Sequence, residues 1–224
     1  MTESELKYVL SAADYARLAR HFRSRVSATH RILNVYLDTP EFLLRRRGFG
    51  LRVRFVAGKR PEITFKGPAR RGRAGPTALM LRLEIECLPP VAVARSLARG
   101  NARRSRELPP LAALSARLGD SVRDALEPVA RMRMVRRRIR WTRGQVLELD
   151  RFTIGARVFH ELELETTRPR AADAEVRALL GDLGIAVRPG RESKLARVFR
   201  LSQRSSSSGR RARRSMRGAP VRSS

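Results

Sequence analysis

Charged and apolar residues alternate in segment after segment of this 224-residue chain. Side chains two apart in an extended strand lie on the same face, so Glu3, Glu5 and Lys7 share one face of a predicted strand over residues 2–10. Residues 81–86 (LRLEIE) are the most regular case, with Arg and Glu on one face and Leu and Ile on the other. The pattern predicts a β-sheet protein whose strands have one charged face and one apolar face.

The remaining elements follow from periodicity, capping residues and breakers. Strands are predicted over residues 2–10, 31–38, 51–55, 62–66, 81–86, 129–141, 145–153 and 157–166. Helices are predicted over 12–24, as two or three short pieces within 90–127, over 171–183 and over 192–201. Residues 202–224 are rich in Arg and Ser and lack large apolar residues except Met216 and Val221, so we expect a disordered basic tail. Residues 1–201 are expected to form one domain.

The direction of the charged faces is open to two interpretations. In an ordinary barrel the apolar faces point inward and the charges are solvated. Two features favour the opposite arrangement: the predicted helices need an apolar sheet surface to pack on, and mixed signs within one face allow the charges to pair. Buried ions are costly unless they are paired, bound to metal or hydrated. We therefore expect a wide, hydrated lumen that binds a charged ligand.

The composition favours an anionic partner. The chain has 49 Lys and Arg against 21 Asp and Glu, a formal charge of +28, which suits phosphate esters, polyphosphate, nucleic acid or an anionic membrane surface. The basic tail adds a possible nucleic-acid or polyphosphate contact. One cysteine and three histidines exclude an internal disulfide and argue against a zinc site. Without a membrane-length apolar run or a signal peptide, we expect a cytoplasmic protein.

The clustered charges indicate a type of chemistry. Carboxylates without His or Cys make a hard oxygen site that suits Mg²⁺ or Mn²⁺, and Arg and Lys bind phosphoryl oxygens. Together they indicate metal-assisted phosphoryl transfer. The sequence contains no Walker A motif and no Ser/His/Asp or Cys/His arrangement that would supply a nucleophile.

Nine short motifs, taken in order, carry a family resemblance. They are Glu3-Ser-Glu-Leu-Lys7, Tyr36-Leu-Asp-Thr39, Leu51-Arg-Val-Arg54, Thr64-Phe-Lys-Gly67, Arg82-Leu-Glu-Ile-Glu86, Arg131-Met-Arg133, Glu148-Leu-Asp150, Glu161-Leu-Glu163 and Ser193-Lys194. The set resembles the CYTH domain family of triphosphate tunnel metalloenzymes, which includes inorganic and thiamine triphosphatases, class IV adenylate cyclases and capping RNA triphosphatases. The resemblance covers residues 3 to about 200.

The resemblance implies an α+β fold: an eight-stranded antiparallel β tunnel, a closed barrel with a charged lumen, flanked by helices. The catalytic residues that it implies are Glu3, Glu5, Lys7, Glu161 and Glu163. The implied ligands of Mg²⁺ or Mn²⁺ are Glu3, Glu5, Glu161 and Glu163, with Glu165 or Glu84 and Glu86 assisting. The implied substrate-binding residues are Lys7, Arg52, Arg54, Lys66, Arg82, Arg131, Arg133 and Lys194. One departure is Arg131, where the family often has Lys.

The leading functional hypothesis is metal-dependent hydrolysis of inorganic triphosphate or a related small triphosphate. A class IV-type adenylate cyclase, a thiamine triphosphatase, an RNA triphosphatase and a long-chain polyphosphatase are the alternatives within the family. The cyclase ranks lower because no residue can be assigned to adenine recognition. A non-catalytic polyphosphate or nucleic-acid binder is the alternative from another class. The carboxylates argue against it, because they repel a polyanion unless a metal bridges them.

Overall fold

The computed structural model describes residues 4–68, 70–71, 80–81, 83–190 and 192–201, and the predicted tail lies outside them. The architecture is α+β. The strands are β1 (Ser4–Leu10), β2 (Val26–Asp38), β3 (Gly50–Val56), β4 (Glu62–Lys66), β5 (Arg70–Arg71), β6 (Met80–Leu81), β7 (Glu84–Cys87), β8 (Glu127–Arg140), β9 (Val146–Ile154) and β10 (Arg157–Thr166). The helices are α1 (Ala12–His21), α2 (Leu43–Arg46), α3 (Val91–Leu97), α4 (Pro109–Leu118), α5 (Asp120–Asp124), α6 (Pro169–Asp182) and α7 (194–201).

Eight of the strands form one antiparallel sheet in the order β1-β10-β9-β8-β2-β3-β4-β7, and β5 pairs with β6. The predicted alternation survives in this sheet, so each long strand keeps two distinct faces. The predicted strand over 81–86 is the exception, because only Glu84–Cys87 joins the main sheet.

The prediction of a closed barrel is wrong: within the described residues, the edge strands β1 and β7 are not paired with each other. Another segment occupies the free edge of β1. Val9 N donates to Arg188 O and Gly190 N donates to Lys7 O, each at 2.8 Å. A Cβ on Gly190 would lie 2.6 Å from Lys7 Cγ, so glycine permits this close approach. The sheet is therefore open, and it curves into a trough, since residues of β1, β4 and β7 line one cavity.

The apolar faces of the strands point outward beneath helices, as expected from the sequence. On one side, α1 and α6 cover β1, β9 and β10 through Leu18 and Val176, which pack with Leu6, Leu149 and Leu162. The α1 helix begins with a capping box between Ser11 and Asp14. On the other side, α2, α3 and α4 cover β2, β3 and β4. The residues of that second cluster include Val35, Leu44, Val53, Ile63, Leu97 and Leu111.

A third apolar cluster lies on the concave face. Val198 and Leu201 of α7 pack there against Met132 and Met134 of β8 and Phe152 of β9. This half of the concave face is therefore apolar and filled by α7, and the charged half remains open. None of the described helices is long and apolar enough to cross a membrane.

Candidate active site

The open half of the trough is a cavity of about 300 Å³. Side chains from β1, β8, β9 and β10 form an acidic wall with interspersed cations, and side chains from β3, β4 and β7 form a more basic wall opposite. The charged lining residues are Glu5, Lys7, Arg52, Arg54, Glu62, Lys66, Glu84, Glu86, Arg136, Glu148, Glu163, Glu165 and Lys194.

Glu163 is the centre of the acidic wall. Its carboxylate lies 2.5 Å from Lys194 Nζ, 3.0 Å from Lys7 Nζ and 2.8 Å from an Arg136 nitrogen. Burial alone would raise the pKa of this carboxyl, but Lys194, Lys7 and Arg136 together hold it well below its usual value. Glu163 is therefore fully ionised at neutral pH.

Lys194 lies at the start of α7 and contacts three carboxylates from two strands, β9 and β10. Its Nζ is 2.9 Å from Asp150 and 3.1 Å from Glu161, in addition to its contact with Glu163. Burial alone would lower the pKa of Lys194, but these three carboxylates raise it above its ordinary value. Lys194 therefore stays charged inside the cavity.

Glu161 lies behind the cavity, with no exposed surface, and is not part of the lining. Arg197 Nη1 donates to its Oε1 at 2.7 Å. The guanidinium of Arg197 also lies over the rings of Phe152 and Phe159, 5.6 and 5.0 Å from their centroids. Glu161 Oε2 accepts no hydrogen bond, although it lies 3.1 Å from Lys194 Nζ. Through these contacts with Arg197 and Lys194, Glu161 anchors α7 to β10.

On the basic wall, each cation is held by a polar neighbour. Arg52 donates to Glu62 at 2.6 Å, Arg54 donates to Asn34 at 3.1 Å, and Lys66 lies 2.6 Å from Glu84. Burial and the neighbouring Arg52 lower the pKa of Arg54 to about 10. At that pKa Arg54 is still protonated at neutral pH. An anion bound between the guanidinium groups of Arg52 and Arg54 would relieve the repulsion between them.

The structure corrects the expected placement of Arg131 and Arg133. Both are exposed on the outer face of β8, because Met132 and Met134 point inward beneath α7. Arg136 is the β8 cation in the cavity: it donates to Asp150 at 2.8 and 2.7 Å and contacts Glu148 and Glu163. The sequence did contain a pattern that indicates Arg136. Arg136 and Arg138 are two residues apart and share one face of the strand, as Arg131 and Arg133 share the opposite face.

The other sequence-predicted residues are distributed as follows. Glu5, Lys7, Arg52, Arg54, Lys66, Glu84, Glu86, Glu163, Glu165 and Lys194 come together in the one cavity. Glu3 and Arg82 lie outside the described residues. Two further residues of the site were not predicted from the sequence: Glu62, which contacts both Arg52 and Arg54, and Arg197, which contacts Glu161. Neither belongs to a recognised motif, and only the strand period that Glu62 shares with Lys66 pointed to it.

A divalent cation suits the donor chemistry of the acidic wall. Glu5 and Glu165 are direct cross-strand partners in the β1–β10 register, and like charges opposite each other destabilise a sheet unless a cation lies between them. Lys7 Nζ now supplies that charge to Glu5 at 3.0 Å. In the described part of the chain no three ligating side chains already converge on one point. An ion bound by Glu5, Glu163 and Glu165 would therefore displace lysine from these carboxylates.

Comparison with known proteins gives one family and several solved structures with the same fold. The family model for the CYTH domain matches residues 1–199. Among solved structures, HpAC1 from Hippeastrum has a TM-score of 0.80 at 22% identity, over 88% of this chain and 95% of its own. HpAC1 is described as a proposed adenylyl cyclase with a dominant triphosphatase activity. A search of curated protein sequences gave no match.

Two other solved structures share the fold. A proposed adenylate cyclase from Bacillus halodurans has a TM-score of 0.65 at 21% identity, over 89% of this chain and 100% of its own. The PH1819 protein from Pyrococcus horikoshii has a TM-score of 0.55 at 18% identity, over 89% of this chain and 99% of its own.

Proposed function

This chain belongs to the CYTH domain family, and on that basis we propose that it hydrolyses inorganic triphosphate or a related small triphosphate with the help of Mg²⁺ or Mn²⁺. One observation carries the proposal: a single cavity opposes a carboxylate wall centred on Glu163 to a wall containing Arg52, Arg54 and Lys66. A metal-bound triphosphate needs both, since its phosphoryl oxygens bind cations and its metal binds carboxylates.

The chain's own cations would bind the phosphates. Arg52 and Arg54 offer fork-shaped donors on the basic wall, and Lys66 offers a point charge beside them. Lys7 and Arg136 are the cations of the acidic wall, and together with Lys194 they pair with Glu163. A substrate phosphate would replace carboxylate oxygens as their partner, so the cavity exchanges internal ion pairs for ion pairs with substrate.

Glu5, Glu163 and Glu165 are the proposed ligands of the divalent ion, together with Glu3, which rests on the sequence motif alone. Glu161 is proposed to position Lys194 and Arg197 from behind the cavity. Glu84 and Glu86 are proposed to assist in binding the ion from the basic wall. When bound, the ion would supply charge neutralisation on the phosphoryl oxygens and a more acidic water. Lys7 contacts Glu5 and Glu163, and it would be available to bind a substrate phosphate if these carboxylates held the ion.

Hydrolysis is favoured over cyclisation by two considerations. The charged groups of the cavity match phosphates, and of the described residues in the third apolar cluster only Tyr36, Met132 and Leu195 reach its lining. HpAC1, which has the same fold, is described as having a dominant triphosphatase activity.

The test is phosphate release from tripolyphosphate, thiamine triphosphate and ATP, each with Mg²⁺, Mn²⁺ or EDTA, with cyclic AMP measured in the ATP reactions. We expect rapid, metal-dependent release from tripolyphosphate and little from ATP. Formation of cyclic AMP and pyrophosphate would make the protein a cyclase. Tight polyphosphate binding without turnover of any substrate would make it a receptor and overturn the proposal.

A further inference from the structure

A groove of about 680 Å³ runs along the outer face of the sheet, beside α3 and on the opposite side of β2 and β8 from the cavity. Its floor contains Leu33, Phe55 and Val135. Val91 at its margin is 43% exposed, and Val158, the partner of lining residue Thr153, is 44% exposed. The helices that cover the rest of the outer face leave this apolar strip open.

Arginine and aliphatic side chains alternate across the groove as well as along its strands. In the sheet register, Val135 of β8 lies between Arg31 of β2 and Arg151 of β9. In the next row of the same face, Arg133 lies between Leu33 and Thr153. Each aliphatic side chain of the floor therefore has a guanidinium beside it.

The charge of the groove is of one sign. Its lining contains Arg31, Lys59, Arg95, Arg133 and Arg151, all of them exposed. Among the described residues, no aspartate or glutamate lines it, and none of the five cations forms an ion pair with a carboxylate. Five unpaired cations around an apolar floor make a site for an anion that also presents apolar surface.

We propose that this groove is a second anion-binding site, separate from the cavity, and that its ligand is single-stranded nucleic acid. The phosphates would bind Arg31, Arg133 and Arg151, and unstacked bases would pack on the apolar floor, as bases do on apolar and aromatic platforms elsewhere. The formal charge of +28 favours a ligand of high charge density over a weakly acidic one.

Other occupants fit the groove less well. Residues 202–224 of the same chain carry seven arginines and no acid, so the five cations repel them. A second copy of the chain is repelled for the same reason. Inorganic polyphosphate has the charge but no surface to cover Leu33 and Val135. An acidic amphipathic peptide is the remaining competitor, and the experiment below separates it from nucleic acid.

The test uses the full-length protein and a fluorescein-labelled oligodeoxythymidylate, with binding followed by fluorescence anisotropy at several salt concentrations. The groove variant is Arg31→Gln with Arg151→Gln. The matched control is Arg20→Gln with Arg170→Gln, which removes the same charge from exposed positions on α1 and α6. We expect the groove variant to bind about ten-fold more weakly and to lose about 1 to 2 from the slope of log K against log salt. The control should change affinity by less than about three-fold.

Three results would overturn the proposal. The first is equal weakening in the groove variant and the control, which would reduce binding to overall charge. The second is displacement of the oligonucleotide by saturating tripolyphosphate, which would place it in the cavity. The third is displacement by polyglutamate as effectively as by unlabelled oligonucleotide, which would make the groove a site for acidic peptides. None of these outcomes depends on whether the cavity hydrolyses triphosphate.

Discussion

Arg197 Nη1 lies 2.7 Å from Glu161 Oε1 behind the cavity, where the two residues are 5% and 0% exposed. This ion pair joins α7 to β10. Because α7 also carries Lys194 three residues earlier, the pair fixes the position of a cation that contacts Glu163. The geometry of the substrate cavity therefore depends on a contact that lies outside it.

Removal of Arg197 should destabilise the protein strongly. Arg197→Ala leaves the Glu161 carboxylate buried without its main partner, and breaking a buried pair in this way costs about 3 to 5 kcal/mol. Chemical denaturation gives the value. Arg200→Ala is the control on the same helix, since Arg200 pairs with Glu192 at the surface, and it should have little effect. If Arg197→Ala lowers the free energy of unfolding no more than Arg200→Ala does, the proposed role of the Arg197–Glu161 pair in holding α7 is contradicted.

Neutralising Glu62 should tighten substrate binding. Glu62 lies 2.6 Å from Arg52 and 3.7 Å from Arg54, so it competes with phosphate for both. A partly exposed pair of this kind contributes on the order of 1 kcal/mol, so Glu62→Gln should lower the Kd of tripolyphosphate about five-fold. Isothermal titration in EDTA measures it, with Glu107→Gln as the control at an exposed position. Unchanged or weaker binding would show that Glu62 supports the two arginines instead of competing for them.

The corrected placement of the β8 arginines predicts a contrast between two equivalent substitutions. Arg136→Lys keeps the charge but loses the two-pronged contact with Asp150, and it should lower kcat/KM for tripolyphosphate by about ten-fold. Arg131→Lys, on the outer face, should leave kcat/KM unchanged. A larger loss of kcat/KM for Arg131→Lys than for Arg136→Lys would support the expectation from the sequence that Arg131 lies in the cavity. Thermal unfolding of both variants shows whether either change acts through stability.

Acid should weaken the fold through Glu163. Lys194, Lys7 and Arg136 outweigh burial and depress the pKa of this carboxyl below its ordinary value of 4.5. A depressed pKa contributes stability above pH 4.5, and that contribution is lost as the pH falls from there through the folded-state pKa. The unfolding free energy of the wild type should therefore fall more steeply below pH 4.5 than that of Glu163→Gln. Parallel curves would mean that Glu163 does not have a depressed pKa.

Alternation in the sequence was enough to predict which side chains share a face. It correctly grouped Glu5 with Lys7 and Arg52 with Arg54, and the requirement of helices for an apolar surface gave the direction of these faces. It did not predict which face of β8 points toward the cavity. Met132 and Met134 have the apolar character of an outward face, but α7 covers them on the inside.

The closed barrel was wrong for a different reason. Closure depends on which backbone groups pair at the two edges of the sheet, and side-chain periodicity carries no information on that pairing. The segment that occupies the edge of β1 runs from Arg188 to Gly190 through Pro189, and it has no strand pattern of its own. Arg197 was missed in a similar way, because its partner Glu161 is 36 residues away in sequence.

The most direct test of the account is the rate of phosphate release from tripolyphosphate as Mg²⁺ or Mn²⁺ is titrated into metal-free protein, for the wild type and for Glu5→Gln. Glu107→Gln serves as the charge-matched control. We expect no release in EDTA, saturable activation by the metal in the wild type and the control, and a rate of release about a hundred-fold lower in Glu5→Gln. Release that is equally fast in EDTA, or unchanged in Glu5→Gln, would contradict the assignment of the acidic wall to a catalytic divalent ion.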